Sequence, residues 1–207
     1  MKVFVADFDL FKSLGGGQTF YRRIIETNPD ISFYYLVKDE SPLASRPHNA
    51  IPVLYKEGYV QEPLREAFQD FEPPPWSYYD FVMASNIALS VADMRFDIVE
   101  SPDYRSYGYF FADALRKHGV TVGKIVISMH GNLSTSHYHN WYDYQQRRYD
   151  QEKGERWQYE LADLRYALSL DYIDEWYEKV PARAHYLNPL HFVERPAPVL
   201  PVSGNLP

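Results

Sequence analysis

Cysteine is absent from this 207-residue sequence, which excludes disulfides, thiolate metal sites and cysteine nucleophiles. Long apolar runs are also missing, since no stretch approaches the roughly 18 residues that a membrane span requires. The 21 basic residues are scattered and the net charge is −7, so the chain lacks the clustered positive charge that binds nucleic-acid phosphates. We therefore expect no nucleic-acid partner. The first residues show no signal-peptide pattern, and these absences together predict a cytoplasmic protein.

The composition is that of a globular protein with many aromatic side chains. Hydrophobic residues make up 45% of the chain and charged residues 24%, and 19 residues are tyrosine. The length is enough to bury one sizeable core. Residues 191–207 are rich in proline, which is typical of linkers. The sequence therefore predicts one folded domain, 1–190, followed by a proline-rich linker or tail, 191–207.

Strands and helices alternate along the chain. The predicted strands are 2–8, 31–37, 51–55, 96–101, 123–131, 165–170 and 182–189, and the predicted helices are 19–28, 77–93, 107–120, one or two around Gly154, and 171–180. Thr19 is a candidate cap for the first helix, and Gly119 is expected to end the third. This alternation predicts an α/β fold with a Rossmann-like parallel sheet and helices on both faces.

Three consecutive glycines follow the first strand. Gly15, Gly16 and Gly17 let backbone N–H groups approach a ligand closely, and the N-terminus of the following helix favours anionic oxygen. Together with Gln18 they form a candidate site for a phosphate or an acceptor. The order GGGQTF matches neither the dinucleotide-binding fingerprint nor a P-loop. A flexible turn that binds nothing remains the alternative.

A second candidate loop follows the predicted strand 96–101. The carboxyl ends of parallel strands face the ligand, and Glu100, Asp103 and Tyr104 come at this end. Their side chains suit ligand hydroxyl groups, because carboxylates accept hydrogen bonds. Alternatively, Ser101, Asp103 or Ser106 caps the next helix. Glu100 is harder to explain structurally, because a carboxylate that closes an apolar strand is costly unless it is paired or solvated.

A histidine ends the fifth predicted strand. His130 is followed by Gly131 and Asn132, so the three residues are candidate ligand contacts at the same edge of the sheet. His137 and His139 have a spacing that can bind a metal, but the sequence indicates no third ligand. We therefore expect no metal site.

Four segments in this order resemble motifs of the N-terminal domain of family-4-type GT-B glycosyltransferases. They are GGGQ, FDIVESPDYRSYG, KIVISMHGN and YELADLRYALSLDYIDEW, and the resemblance spans roughly residues 1–189. It implies that the glycine loop lies against the nucleotide-sugar phosphates and the acceptor. It also implies that the loop after the fourth strand shapes the acceptor side, and that His130 acts in catalysis by contacting the donor sugar.

The second Rossmann domain of that family, which binds most of the nucleotide, has no counterpart in these residues. The resemblance therefore implies half of an active site: either the chain is a fragment, or a second chain carries the other domain. The expected donor is a nucleotide-sugar such as UDP-glucose or GDP-mannose, and the expected acceptor is a saccharide or is lipid-linked. No cofactor or metal is expected beyond these substrates. Many enzymes of this class sit on membranes, so a peripheral membrane location stays open.

Two other classes of function also stay open. One is a non-catalytic sugar-binding or regulatory subunit that pairs with a catalytic chain through its aromatic face. The other is a short-chain dehydrogenase, because Tyr149 and Lys153 form a Tyr-x-x-x-Lys pair with Ser136 upstream. Those enzymes place their cofactor glycines directly after the first strand, where this chain has Asp7 and Asp9. The dehydrogenase is therefore the less favoured alternative.

Overall fold

The structure is a computed structural model that describes residues 1–12, 15–39, 46–58, 76–131 and 146–189. The predicted tail, 191–207, lies outside these residues, as do Asn132, Ser136, His137 and His139. Predictions that concern these positions stay predictions.

Within the described residues, seven parallel strands form one sheet in the order β3-β2-β1-β4-β5-β6-β7. The strands are β1 (Lys2–Phe8), β2 (Ser32–Val37), β3 (Ala50–Leu54), β4 (Arg95–Pro102), β5 (Thr121–Met129), β6 (Leu164–Ala167) and β7 (His185–Tyr186). The predicted Rossmann-like α/β class is confirmed. Strands β2 and β3 are added on one side of β1, and β4 to β7 on its other side, so the strand order reverses between β1 and β4. Parallel sheets of this kind bind ligands at such a point, in the crevice outside the carboxyl ends of the strands.

Helices cover both faces of the sheet, as predicted. The described helices are α1 (Gly16–Thr27), α2 (Trp76–Ser90), α3 (Tyr107–Lys117), α4 (Gln146–Leu161) and α5 (Leu170–Lys179). Helix α1 buries Phe20, Tyr21 and Ile25 against β1 and β2 on one face. The other helices pack on the opposite face, where Phe111 of α3 and Trp176 of α5 belong to two apolar clusters.

Two predicted boundaries need correction. Thr19 does not cap α1, because the helix already begins at Gly16 and the Thr19 N–H donates to the Gly15 carbonyl at 2.9 Å. The last strand, β7, has two residues where eight were predicted from the pattern of 182–189. Gly119 follows α3 with φ of +70°, as its predicted role at a helix end requires.

Helix α3 is capped from another helix. Ser106 occupies the N-cap position, but its side chain makes no capping hydrogen bond. Instead, the buried Asp80 of α2 accepts the Ser106 N–H at 3.1 Å. This contact fixes the loop between β4 and α3, which carries two of the candidate site residues.

Candidate functional site

Helix α1, the loop after β4 and the end of β5 meet at the carboxyl edge of the sheet. The His130 ring, just beyond β5, lies against Phe20 and Tyr21 of α1, with ring centroids 5.3 and 5.6 Å apart. Asp103, from the loop after β4, binds the backbone of His130. The fold therefore brings the glycine-led helix, the acidic loop and the histidine into one cluster.

The imidazole of His130 has an unused nitrogen. Its Nε2 atom is buried and has no hydrogen-bond partner among the described residues. Burial lowers the pKa of His130, and the nearby charge of Asp103 opposes that shift only in part. The ring is therefore neutral at physiological pH, and Nε2 is free to donate or accept a hydrogen bond according to its tautomer. A buried polar atom without a partner is uncommon in folded proteins and suggests a ligand contact.

Asp103 anchors this histidine from inside the protein. The carboxylate is fully buried, and Oδ1 accepts the N–H groups of His130 and Gly131 at 3.0 and 3.1 Å. Its Oδ2 accepts the hydroxyls of Tyr159 and Tyr172 at 2.6 and 2.7 Å. Burial raises the pKa of Asp103, although these hydrogen bonds stabilise the charged form. With four donors from the protein, Asp103 is a positioning residue in this geometry, and its predicted contact with ligand hydroxyls stays a prediction.

Glu100 lies in a second network of hydroxyl groups. Its Oε1 accepts hydrogen bonds from Tyr21 of α1, at 2.6 Å, and from Tyr166 of β6. The Tyr21 hydroxyl also contacts the Ser128 hydroxyl at 2.7 Å. Burial raises the pKa of Glu100, and the hydroxyl donors oppose that shift. This network ties four elements, α1, β4, β5 and β6, together beside His130.

The first turn of α1 is open. A Cβ atom added at Gly16 or Gly17 would meet no described atom within 4 Å, whereas one at Gly15 would meet the flexible Gln18 side chain. No acidic residue lies in this turn, and no side chain of the described residues caps it. The backbone N–H groups at this helix end therefore have no side-chain acceptor, and the helix dipole favours an anionic ligand there.

A crevice of about 550 Å³ lies beside this cluster, at the reversal point between β1 and β4. Gln18 and Tyr104, two of the predicted site residues, contribute to its lining, together with Asp7, Lys38 and Tyr55. The crevice is therefore adjacent to the His130 cluster but is lined by different side chains.

Sequence reasoning missed several residues of this region. Like Glu100, Asp7 is a carboxylate near the end of an apolar strand, so the sequence pattern could have identified it as a candidate site residue. Tyr21 and Tyr166 carried no such signal, because their contacts with Glu100 join positions that are far apart in the chain.

Among the described residues, no cluster of three or more histidine, aspartate or glutamate side chains has a geometry that suits a metal ion. None of the described helices is both long and apolar enough to cross a membrane. No protein-family model matches the sequence, and no curated protein matches it significantly. The functional assignment therefore depends on the fold and on the geometry of the site.

Proposed function

We propose that this domain is the acceptor-side half of a nucleotide-sugar-dependent glycosyltransferase of the GT-B type. The observation that carries the proposal is that helix α1, whose first turn is open, packs through Phe20 against the ring of His130, whose Nε2 has no partner among the described residues. An anion-binding helix end beside a neutral polar side chain suits a ligand that joins a diphosphate to a sugar. The order of the four sequence motifs supports the same class.

Each group has a role in this proposal. The N–H groups at Gly16 and Gly17 bind diphosphate oxygens of the donor, while His130 Nε2 bonds to a hydroxyl of the donor sugar. Glu100 and Asp103 hold the tyrosine network and the backbone that place His130. A second domain, on this chain or on another, supplies the remaining nucleotide contacts.

The chemistry explains why a helix end is useful here. When the sugar leaves the donor, negative charge develops on the diphosphate, and fixed dipoles that point at this charge stabilise the transition state. The acceptor in this proposal is a saccharide or a lipid-linked saccharide. We also propose a cytoplasmic location, either free or peripheral at the membrane, where nucleotide-sugars are the donors.

A non-catalytic sugar-binding subunit is the second candidate. The crevice favours it, because Phe8 and Tyr55 form an edge-to-face pair, with centroids 5.1 Å apart, on its lining. Aromatic rings beside carboxylates are suited to sugars, and binding there requires no donor.

Isothermal titration calorimetry separates the two candidates. The ligands are UDP-glucose, GDP-mannose, UDP and GDP, and the variants are His130→Ala and Gly16→Val. If the proposal holds, a sugar nucleotide binds and both substitutions weaken its binding by about tenfold or more. His130→Ala removes the polar contact with the sugar, and Gly16→Val fills the open turn where the N–H groups bind the diphosphate. His185→Ala is the matched control, because His185 is exposed on β7.

Two results would contradict the proposal. One is binding of a sugar nucleotide that neither His130→Ala nor Gly16→Val weakens, because the donor site would then lie elsewhere. The other is the absence of binding by all four ligands at concentrations of about 1 mM with a folded chain, which would favour the sugar-binding subunit.

A further inference from the structure

The crevice beside the His130 cluster has the dimensions of a small-ligand site. Its volume of about 550 Å³ lies within the range of about 300–1,000 Å³ that is typical of ligand pockets. It opens between the end of β1, where Asp7 lies, and the ends of β2 and β3, which Lys38 and Tyr55 directly follow.

Asp7 provides a carboxylate oxygen without a partner. The side chain is only 8% exposed. Its Oδ1 accepts the Phe8 N–H at 2.7 Å and the Tyr104 hydroxyl at 3.3 Å. Its Oδ2 has no hydrogen-bond partner among the described residues. This oxygen is not among the buried polar atoms without a partner and is therefore accessible from the crevice, where a ligand hydroxyl can donate to it.

Lys38 provides a cation without an ion pair. Three basic side chains line the crevice, but Lys12 pairs with Asp39 at 2.6 Å and Arg105 lies 3.8 Å from Asp80. The exposed Lys38 ammonium has no carboxylate partner within the described part of the chain. It is therefore the basic group of the crevice that is available to a ligand anion.

An aromatic wall connects these two groups. The Lys38 ammonium lies 5.7 Å from the centre of the Phe8 ring, which immediately follows Asp7 in the chain. Tyr55 meets the Phe8 ring edge-on. Such a wall offers an apolar surface to the C–H face of a sugar ring, between the carboxylate and the ammonium.

We propose that this crevice binds a monosaccharide unit that carries an anionic group, either a phosphate or a carboxylate. The sugar hydroxyls donate to Asp7 Oδ2, the ring packs on Phe8 and the anion pairs with Lys38. In the glycosyltransferase this unit is the acceptor, and the inference rests on the proposed function for that assignment alone.

NMR titration of the labelled chain tests this site directly, with the backbone amides of Phe8, Lys38 and Tyr104 as reporters. The probes are glucose 1-phosphate, mannose 1-phosphate and glucuronate, compared with glucose and with inorganic phosphate. We expect at least one anionic sugar to shift these amides, and to bind about tenfold or more tightly than both glucose and inorganic phosphate. The two kinds of anionic probe distinguish a phosphate from a carboxylate ligand.

Two conservative variants assign the contacts. Asp7→Asn retains the acceptor for Phe8 and Tyr104 but replaces Oδ2 by a donor, so we expect about tenfold weaker binding of the anionic sugar. Lys38→Met keeps an apolar stem without the charge, so the preference for anionic over neutral sugar should disappear. The controls are Asp30→Asn and Lys117→Met, because both positions are exposed and neither belongs to the crevice lining.

Several results would overturn the inference. They are no shift of the reporter amides by any probe at about 20 mM, equal binding of glucose and the anionic sugars, equal binding of inorganic phosphate, or binding that survives Asp7→Asn. These probes contain no nucleotide, so the outcome is independent of the sugar-nucleotide titration. A chain that binds UDP-glucose through His130 but none of these probes would keep the proposed function and lose this inference.

Discussion

Tyrosine hydroxyls donate to carboxylates at the carboxyl edge of the sheet. Asp7, Glu100 and Asp103 each receive at least one such donor: Tyr104 for Asp7, Tyr21 and Tyr166 for Glu100, and Tyr159 and Tyr172 for Asp103. A hydroxyl donates to a carboxylate without adding charge, so these acids keep the raised pKa that burial causes. The site thus combines rigid acidic groups with few fixed cations.

Asp103 is the acid whose removal should cost most. Asp103→Ala leaves the N–H groups of His130 and Gly131, and two tyrosine hydroxyls, without their acceptor inside the protein. We expect the free energy of unfolding to fall by about 3 kcal/mol, because buried donors without acceptors are costly. Urea unfolding measures this loss.

The matched control for this change is Asp113→Ala. Asp113 is exposed and, within the described part of the chain, pairs only with Arg116 on the same helix, so its loss should change stability by less than about 0.5 kcal/mol. A loss below about 1 kcal/mol for Asp103→Ala would show that the four donors find other acceptors.

The positions of the candidate residues could be predicted, but their partners could not. His130, Glu100 and Asp103 lie at strand ends, and strand ends are visible in the sequence as apolar runs that stop. The tyrosines that bind these carboxylates lie 56 to 79 residues away along the chain. No local pattern encodes such contacts, because they depend on the order of the strands in the sheet.

At the level of elements, the start of α1 shows how tertiary packing overrides propensity. Glycine disfavours a helix, so the sequence predicts a start at Thr19, after the glycines. In the structure the helix begins at Gly16, because Phe20, Tyr21 and Ile25 bury their side chains against the sheet and hold the first turn in place. The cap of α3 was equally hidden, since Asp80 reaches it from another helix.

The glycines of this turn are not required by the fold. Gly16→Ala and Gly17→Ala place a methyl group where no described atom lies within 4 Å, in a backbone conformation that alanine adopts readily. We expect each change to leave stability unchanged or to raise it by up to about 1 kcal/mol, because alanine loses less conformational entropy in a helix. Thermal and urea unfolding measure this effect.

The same two variants should bind donor more weakly if the open turn is a ligand site. Lost stability in both variants would instead show that the glycines serve the fold. Gly123→Ala is the opposite control, because its Cβ would lie 2.6 Å from the carbonyl oxygen of Asp97, and it should destabilise the chain.

At the scale of the whole molecule, buried tyrosines determine the response to alkaline pH. Desolvation raises the pKa of Tyr104 to about 12. It raises the pKa of further tyrosines well above the ordinary value: Tyr21, Tyr107, Tyr159 and Tyr166. In the unfolded chain all of them ionise at about pH 10. Their contribution to stability is therefore full below that pH and is lost as the pH rises through the folded-state values.

We expect tyrosine ionisation and unfolding to be coupled at high pH. A first step of tyrosine ionisation should leave the near-ultraviolet circular dichroism native. The buried tyrosines should ionise only in a second, cooperative step, together with the loss of that dichroism. Tyrosinate absorbance and circular dichroism, followed on one sample, measure both steps. A single step near pH 10 with native dichroism throughout would mean that the hydroxyl networks around Glu100 and Asp103 are open to solvent.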